Sequence, residues 1–165
     1  MEIALRVVGD VAWHDSPIRG KRVHALLRSL VDAGPRGASE AALIAAIWGE
    51  ERPAHPRKAL QVLVARARRA TRADLITRTA SGYALAIGRE QVDAYAASDL
   101  LERAQAAYTA GEDQQAITLA EATLRIQRTP RAQRLKALAQ SRSGHPESAL
   151  PALRRVIASS PGDDE

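Results

Sequence analysis

Between Arg57 and Arg72 the chain reads RKALQVLVARARRATR. Placed on a helical wheel at about 100° per residue, Leu60, Leu63, Val64, Ala67 and Thr71 share one side. Lys58, Gln61, Val62, Ala65, Arg69 and Arg72 share the other, with Arg66 and Arg68 at its edges. The stretch is therefore predicted to be an amphipathic helix with a basic outer stripe. No acidic residue falls between Arg52 and Arg72, although Arg52, Arg57, Lys58, Arg66, Arg68, Arg69 and Arg72 all lie there. A basic run of this kind is either a solvated face or a surface for a polyanion, and its neighbours must decide between them.

Upstream, Val23, Leu26, Leu27, Leu30 and Val31 recur at helical spacing and stop at Gly34-Pro35, a usual helix end. Ser39 is a suitable N-cap for a second helix with Leu43, Ile44, Ile47 and Trp48 on its apolar side, closed by Gly49. A polar loop, Glu50 to Pro56, then leads into the basic helix. Downstream, Ile76 to Ile87 is predicted to be a hairpin turning at Ala80-Ser81-Gly82, with Tyr83, Leu85 and Ile87 pointing inward. At the start of the chain, Ile3, Leu5, Val7, Val11 and Trp13 alternate around Gly9-Asp10, the pattern of a small sheet. Sheet, two helices, loop, basic helix and hairpin is the order of a winged helix-turn-helix. In that fold the third helix enters the major groove and the hairpin wing lies at the adjacent minor groove.

Charge agrees with this order. The chain has 165 residues and a net charge of +5. Up to Gly88 there are 14 Lys and Arg against 8 Asp and Glu, whereas from Arg89 onward there are 10 against 11. The basic excess belongs wholly to the first half, as expected for a polyanion-binding module joined to a neutral one. The absence of Cys excludes a disulfide framework, thiolate metal ligands and a cysteine nucleophile. His14, His24, His55 and His145 share no metal-ligand spacing. Neither a Gly-rich phosphate loop ending in Lys-Ser/Thr nor a Gly-x-Ser-x-Gly elbow is present. The expectation is a non-enzyme without cofactor or metal. No window approaches the roughly 20 apolar residues of a membrane helix, so the chain is expected to be cytoplasmic and nucleoid-associated.

From Gln91 the composition turns Ala-rich and helical, and a 33-residue spacing emerges: Gly111, Ala116, Ile117, Ala120, Thr123 and Leu124 correspond to Gly144, Ala149, Leu150, Leu153, Val156 and Ile157. Small residues at such a period predict tetratricopeptide-like helical hairpins. Pro151 fits only if the last helix begins near Ser148, which places the proline in its first turn. The predicted architecture is thus an α+β winged helix-turn-helix over residues 1–88, followed by an all-α tetratricopeptide-like domain over 91–160.

Within the winged helix, Lys58 and Gln61 near the start of the basic helix are best placed to reach base edges. Arg57, Arg66, Arg68, Arg69 and Arg72 are assigned to phosphates. Arg78 and Thr79 in the wing are candidates for the minor groove. Trp48 and Tyr83 are read as core residues.

The segments AALIAAIWG (Ala41 to Gly49), RKALQVLVARARR (Arg57 to Arg69) and LITRTASGYAL (Leu75 to Leu85) resemble, in order and spacing, the OmpR/PhoB-type winged helix. More particularly they resemble the SARP/AfsR family of actinobacterial activators, whose N-terminus Leu5 to Trp13 and Gly20 to Leu30 also look like. Val92 to Thr129 looks like the start of that family's helical activation domain. The resemblance implies a transcriptional activator that binds double-stranded promoter DNA, often as side-by-side copies on direct repeats, and that recruits RNA polymerase. It further implies that the loop carrying Glu50, Glu51, Arg52 and His55 faces polymerase, through its sigma factor. The alternative from another class is a protein-interaction adaptor, or the regulatory N-terminal part of a larger ATPase-type regulator.

Overall fold

In the computed structural model, which describes residues 3–144, the chain divides into two compact units, Met1–Asp93 and Ala94–Glu165. The first unit opens with a three-stranded antiparallel meander of β1 (Leu5–Arg6), β2 (Ala12–Trp13) and β3 (Ser16–Pro17). The sequence pattern gives a small sheet here, and the third strand completes it. Helix α1 (Lys21–Ala33) follows and is tied to the sheet by Arg28, whose guanidinium donates to the carbonyls of Val7 (3.1 Å) and Gly9 (2.6 Å).

A short strand β4 (Ala38–Ser39) precedes α2 (Glu40–Trp48). Ser39 caps α2 as its residue type suggests, its Oγ accepting from the Ala42 amide at 3.1 Å. Glu40 sits in the first turn, where the helix dipole favours a carboxylate. Helix α3 (Pro56–Ala70) starts on a proline, which lacks an amide that the first turn would leave unpaired anyway. It ends two residues before the predicted limit: the Thr71 hydroxyl donates back to the Ala67 carbonyl (2.8 Å) and the chain turns away. Arg72 therefore lies outside the helix.

Helices α1, α2 and α3 pack pairwise around a core in which Leu26, Leu27, Leu30, Leu43, Leu60 and Val64 are fully buried. With no Phe in the chain, branched aliphatic side chains fill this volume. Strands β5 (Ile76–Arg78) and β6 (Gly82–Leu85) form the hairpin, and β6 is central in a second sheet of order β4-β6-β5. The inward alternation expected for Tyr83, Leu85 and Ile87 is modified accordingly. Gly82, Tyr83 and Ala84 are all buried in this central strand, while Leu85 and Ile87 are half-buried. A Cβ on Gly82 would run into the Ala38 carbonyl oxygen of β4, and one on Gly37 (φ 69°) into the backbone of Tyr83 and Ala84. The wing is thus fastened where two glycines let backbones meet.

The unit closes on a contact without a sequence motif. Val92 bridges Leu5 in parallel, the Ala4 amide donates to the Gln91 carbonyl at 2.9 Å, and the buried Asp93 carboxylate accepts from the amides of Val7 (2.9 Å) and Val8 (3.1 Å).

The second unit contains α4, which begins at Asp93 (Asp93–Thr109), α5 (Asp113–Ile126) and α6 (Pro130–Arg142). Ala104, Ala107, Ala116, Ala120 and Ala139 are buried between these helices, with Leu101, Tyr108, Leu119 and Leu135 packed around them. Gly111 and Gly144, paired by the 33-residue spacing, both adopt left-handed backbone (φ 84° and 86°) just after α4 and α6, the usual glycine device at a helix end. Arg142 locks the repeat: its Nε donates to both oxygens of Asp113 (2.7 and 2.9 Å) and its guanidinium stands 4.0 Å from the centre of the Tyr108 ring. Hydrogen bonding to Asp113 raises the Arg142 pKa above its ordinary value, outweighing desolvation. The second-copy positions Ala149, Leu150, Leu153, Val156 and Ile157, with Ser148 and Pro151, lie outside the described residues. No described helix is long and apolar enough to cross a membrane.

Gly82→Ala is expected to cost about 1–3 kcal/mol, because an added methyl must push β4 and β6 apart. Urea unfolding checks this, and a midpoint equal to that of the unsubstituted chain would contradict the close approach.

Candidate nucleic-acid interface

Helix α3 buries Leu60, Leu63, Val64 and Ala67 and leaves Lys58, Gln61, Val62, Arg66 and Arg69 exposed. The wheel drawn from sequence is reproduced, except that Thr71 and Arg72 lie beyond the helix end and that Ala65 and Arg68 are half-buried. The structure then separates the cations by what holds them, a distinction that composition does not carry.

Some of the candidate residues are engaged inside the fold. Arg68 is half-buried and donates through Nε (3.0 Å) and a terminal nitrogen (2.6 Å) to the carbonyl of Ile76, bracing α3 against β5. Arg72 donates to the Ala86 carbonyl at 2.6 Å, pairs with Asp74 at 3.2 Å and stands 5.8 Å from the Trp13 ring centre. These two, expected on the phosphate-facing stripe, join the helix end to the hairpin and the N-terminal sheet. In the wing, Arg78 donates to the Tyr83 hydroxyl (3.1 Å) and to Glu40 (3.0 Å). Thr79 uses its hydroxyl to accept the Gly82 amide at 3.0 Å, which leaves Ala80 and Ser81 as the exposed wing tip.

Glu40 is the hub of this arrangement. Its carboxylate, 18% exposed, pairs with Arg78 through one oxygen and with Arg57 through the other at 3.6 Å. One acidic residue at the head of α2 thereby spans the wing and the start of α3. The connecting loop is outward-facing at Glu50, Glu51, Arg52 and His55, with the Arg52 Nε donating to the Gly49 carbonyl at 3.3 Å.

The remaining polar side chains of this face are free. Lys58, Gln61, Arg66 and Arg69 have no side-chain hydrogen bond or ion pair among the described residues. They surround Val62, which at 47% exposure is the large apolar side chain most open to solvent in the described residues. An exposed valine among cations is compatible with a groove that offers both phosphates and thymine methyl groups. Beside this face lie two adjoining clefts. One, of about 440 Å³, is lined by Arg22, Trp48, His55, Lys58, Val62 and Arg66; the other, of about 630 Å³, is lined by Arg19, Lys21, Arg22, Leu63, Arg66 and Ala70. Arg19, Lys21 and Arg22 escaped the sequence reading because they stand far from the basic run along the chain. Their density between Pro17 and Val23 was the available signal. Trp48 and Tyr83 are buried, as expected of core residues. No cluster of metal-ligating side chains occurs among the described residues.

The chain is 32% identical, over an alignment of 117 residues that covers 68% of it, to the regulatory protein AfsR of Streptomyces griseus. The resemblance to SARP/AfsR-type regulators holds. The chain spans only 12% of the length of that relative. In structure it is similar to EmbR of Mycobacterium tuberculosis, solved in complex with a low-affinity phosphopeptide, with a TM-score of 0.68 over 96% of this chain and 59% of that one. At 18% identity that likeness concerns the fold, an α+β winged helix followed by a helical domain. No family model matches the chain. The relative matched in sequence is a regulatory protein.

The division of the arginines has a measurable consequence. Arg68→Ala is expected to lower stability by about 1.5–3 kcal/mol, the scale of a lost charged hydrogen bond. Arg69→Ala should stay within about 0.5 kcal/mol. Equal urea midpoints for the two variants would contradict the bracing role of Arg68.

Proposed function

We propose that the chain is a DNA-binding transcriptional regulator that acts as an activator at promoter DNA. The observation that carries this reading is the outer face of α3, acid-free and exposed, with its polar groups left without internal partners. The sequence similarity to a regulatory protein supports it. In this reading α3 lies in the major groove. Lys58 donates to guanine O6 or N7, Gln61 pairs with adenine, and Val62 packs on a thymine methyl. Arg66 and Arg69 take phosphates, with Arg57 beside them. Arg68 and Arg72 contribute by holding α3 in place. The wing, with Arg78 and Thr79, follows the neighbouring minor groove, which Arg78 enters by giving up Glu40. Residues 1–88 then serve DNA binding and 91–160 serve partner contact or oligomerisation on direct repeats. The loop bearing Glu50, Glu51, Arg52 and His55 is assigned to the RNA polymerase sigma factor.

The test is repeated selection from a randomised duplex pool with the purified chain, followed by titrations on the enriched site. An enriched motif supports the reading, and binding without enrichment at any salt overturns sequence-specific regulation. On the enriched site, Lys58→Ala and Gln61→Ala should each lose about 1–3 kcal/mol and relax the preference at one position. Arg69→Ala should weaken all sequences alike and flatten the salt slope by about 0.9. Equal losses on enriched and random DNA would remove Lys58 and Gln61 from base reading.

A further inference from the structure

The cleft of about 630 Å³ beside α3 is lined by Arg19, Lys21, Arg22 and Arg66 and by no acidic residue. Arg19 comes from the turn into α1, Lys21 from the start of α1 and Arg66 from α3, so separate elements direct cations at one space. Arg19, Lys21 and Arg66 are exposed and have no hydrogen-bond or ion-pair partner among the described residues. Arg22 stands 6.0 Å from the centre of the Trp48 ring and lines the adjoining cleft as well. The two clefts therefore form a continuous basic track that leaves α3 sideways toward α1.

The arrangement costs the isolated protein something. Lys21 and Arg22 occupy the first turn of α1, which has neither an acidic residue nor a side-chain cap, and cations are disfavoured at that end of a helix. By contrast α2 has a serine cap and a glutamate there. Cations crowded together without counter-charge are stabilised by a ligand that carries negative charges at intervals along its length. A DNA backbone does so, since successive phosphates follow each other along the strand.

We propose that Arg19, Lys21, Arg22 and Arg66 form a second anchor for the DNA backbone, which grips the phosphates flanking the groove entered by α3. The inference rests on the DNA-binding reading of α3 and extends the footprint beyond it. These contacts position the protein without reading bases. They should therefore contribute equally on an enriched site and on a scrambled duplex.

The experiment measures binding of the full chain to both duplexes by fluorescence anisotropy over a range of salt, for Arg19→Gln, Lys21→Gln and Arg134→Gln. Arg134 is an exposed cation of the second unit, so its loss reports the effect of net charge alone. Arg19→Gln and Lys21→Gln are each expected to reduce the slope of log K against log salt by about 0.9, with the base preference unchanged, while Arg134→Gln leaves the slope as it was. Unchanged slopes for Arg19→Gln and Lys21→Gln, with the unsubstituted chain binding normally, overturn the anchor and leave the α3 reading standing. Equal reductions for all three variants overturn it too, because net charge then accounts for the effect. If the unsubstituted chain binds no duplex at low salt, the α3 reading fails and the anchor with it.

Discussion

The run from Arg52 to Arg72 contains seven cations and no acid, so its positive charges cannot be neutralised from within. Every arginine there must find a backbone carbonyl, an acid from elsewhere, or solvent. The first unit is organised by how that choice falls. Arg68 takes the Ile76 carbonyl, Arg72 the Ala86 carbonyl and Asp74, and Arg57 shares Glu40 with Arg78. These contacts fix the third helix, the wing and the start of the second helix relative to one another. What they leave over, Lys58, Arg66 and Arg69, is the unpaired charge on the surface.

Fixing α3 matters because recognition by a helix depends on the orientation of a few side chains. Leu60, Leu63, Val64 and Ala67 seat the helix by burial, but an aliphatic core with no Phe constrains rotation and depth only through shape. Directional bonds from Arg68 and Arg72 add an angular constraint at the C-terminal end of the helix, and the Arg57–Glu40 pair adds one at the other. The arginines engaged within the fold thus help to set how the unpaired ones are presented.

The helical unit solves a different problem. Its buried layer is mostly alanine, so each helix pair gains little area per residue but can approach closely. Left-handed glycines at 111 and 144 repeat the same turn at the same spacing. The Arg142 guanidinium, bound to Asp113 and lying over Tyr108, supplies a polar lock that small side chains cannot. From Arg89 onward basic and acidic residues nearly balance, in contrast to the basic first half of the sequence.

The element order, the seat of α3, the Ser39 cap and the repeat glycines were legible in the sequence. Each is set by local rules: hydrophobic periodicity, a hydroxyl before a helix, or the freedom of glycine at positive φ. The departures arise where distant residues meet. The diversion of Arg72 depends on Trp13 and Ala86; the burial of Gly82, Tyr83 and Ala84 depends on β4 lying beside β6; and Asp93 finds its amides some 86 residues away, at Val7. The sequence by itself determined which faces are apolar, where the helices begin, and that the first half carries the positive charge. Only the tertiary structure decided which cations remain free and that Arg19 and Lys21 join them, because a long guanidinium side chain takes whichever carbonyl or carboxylate the fold brings within reach.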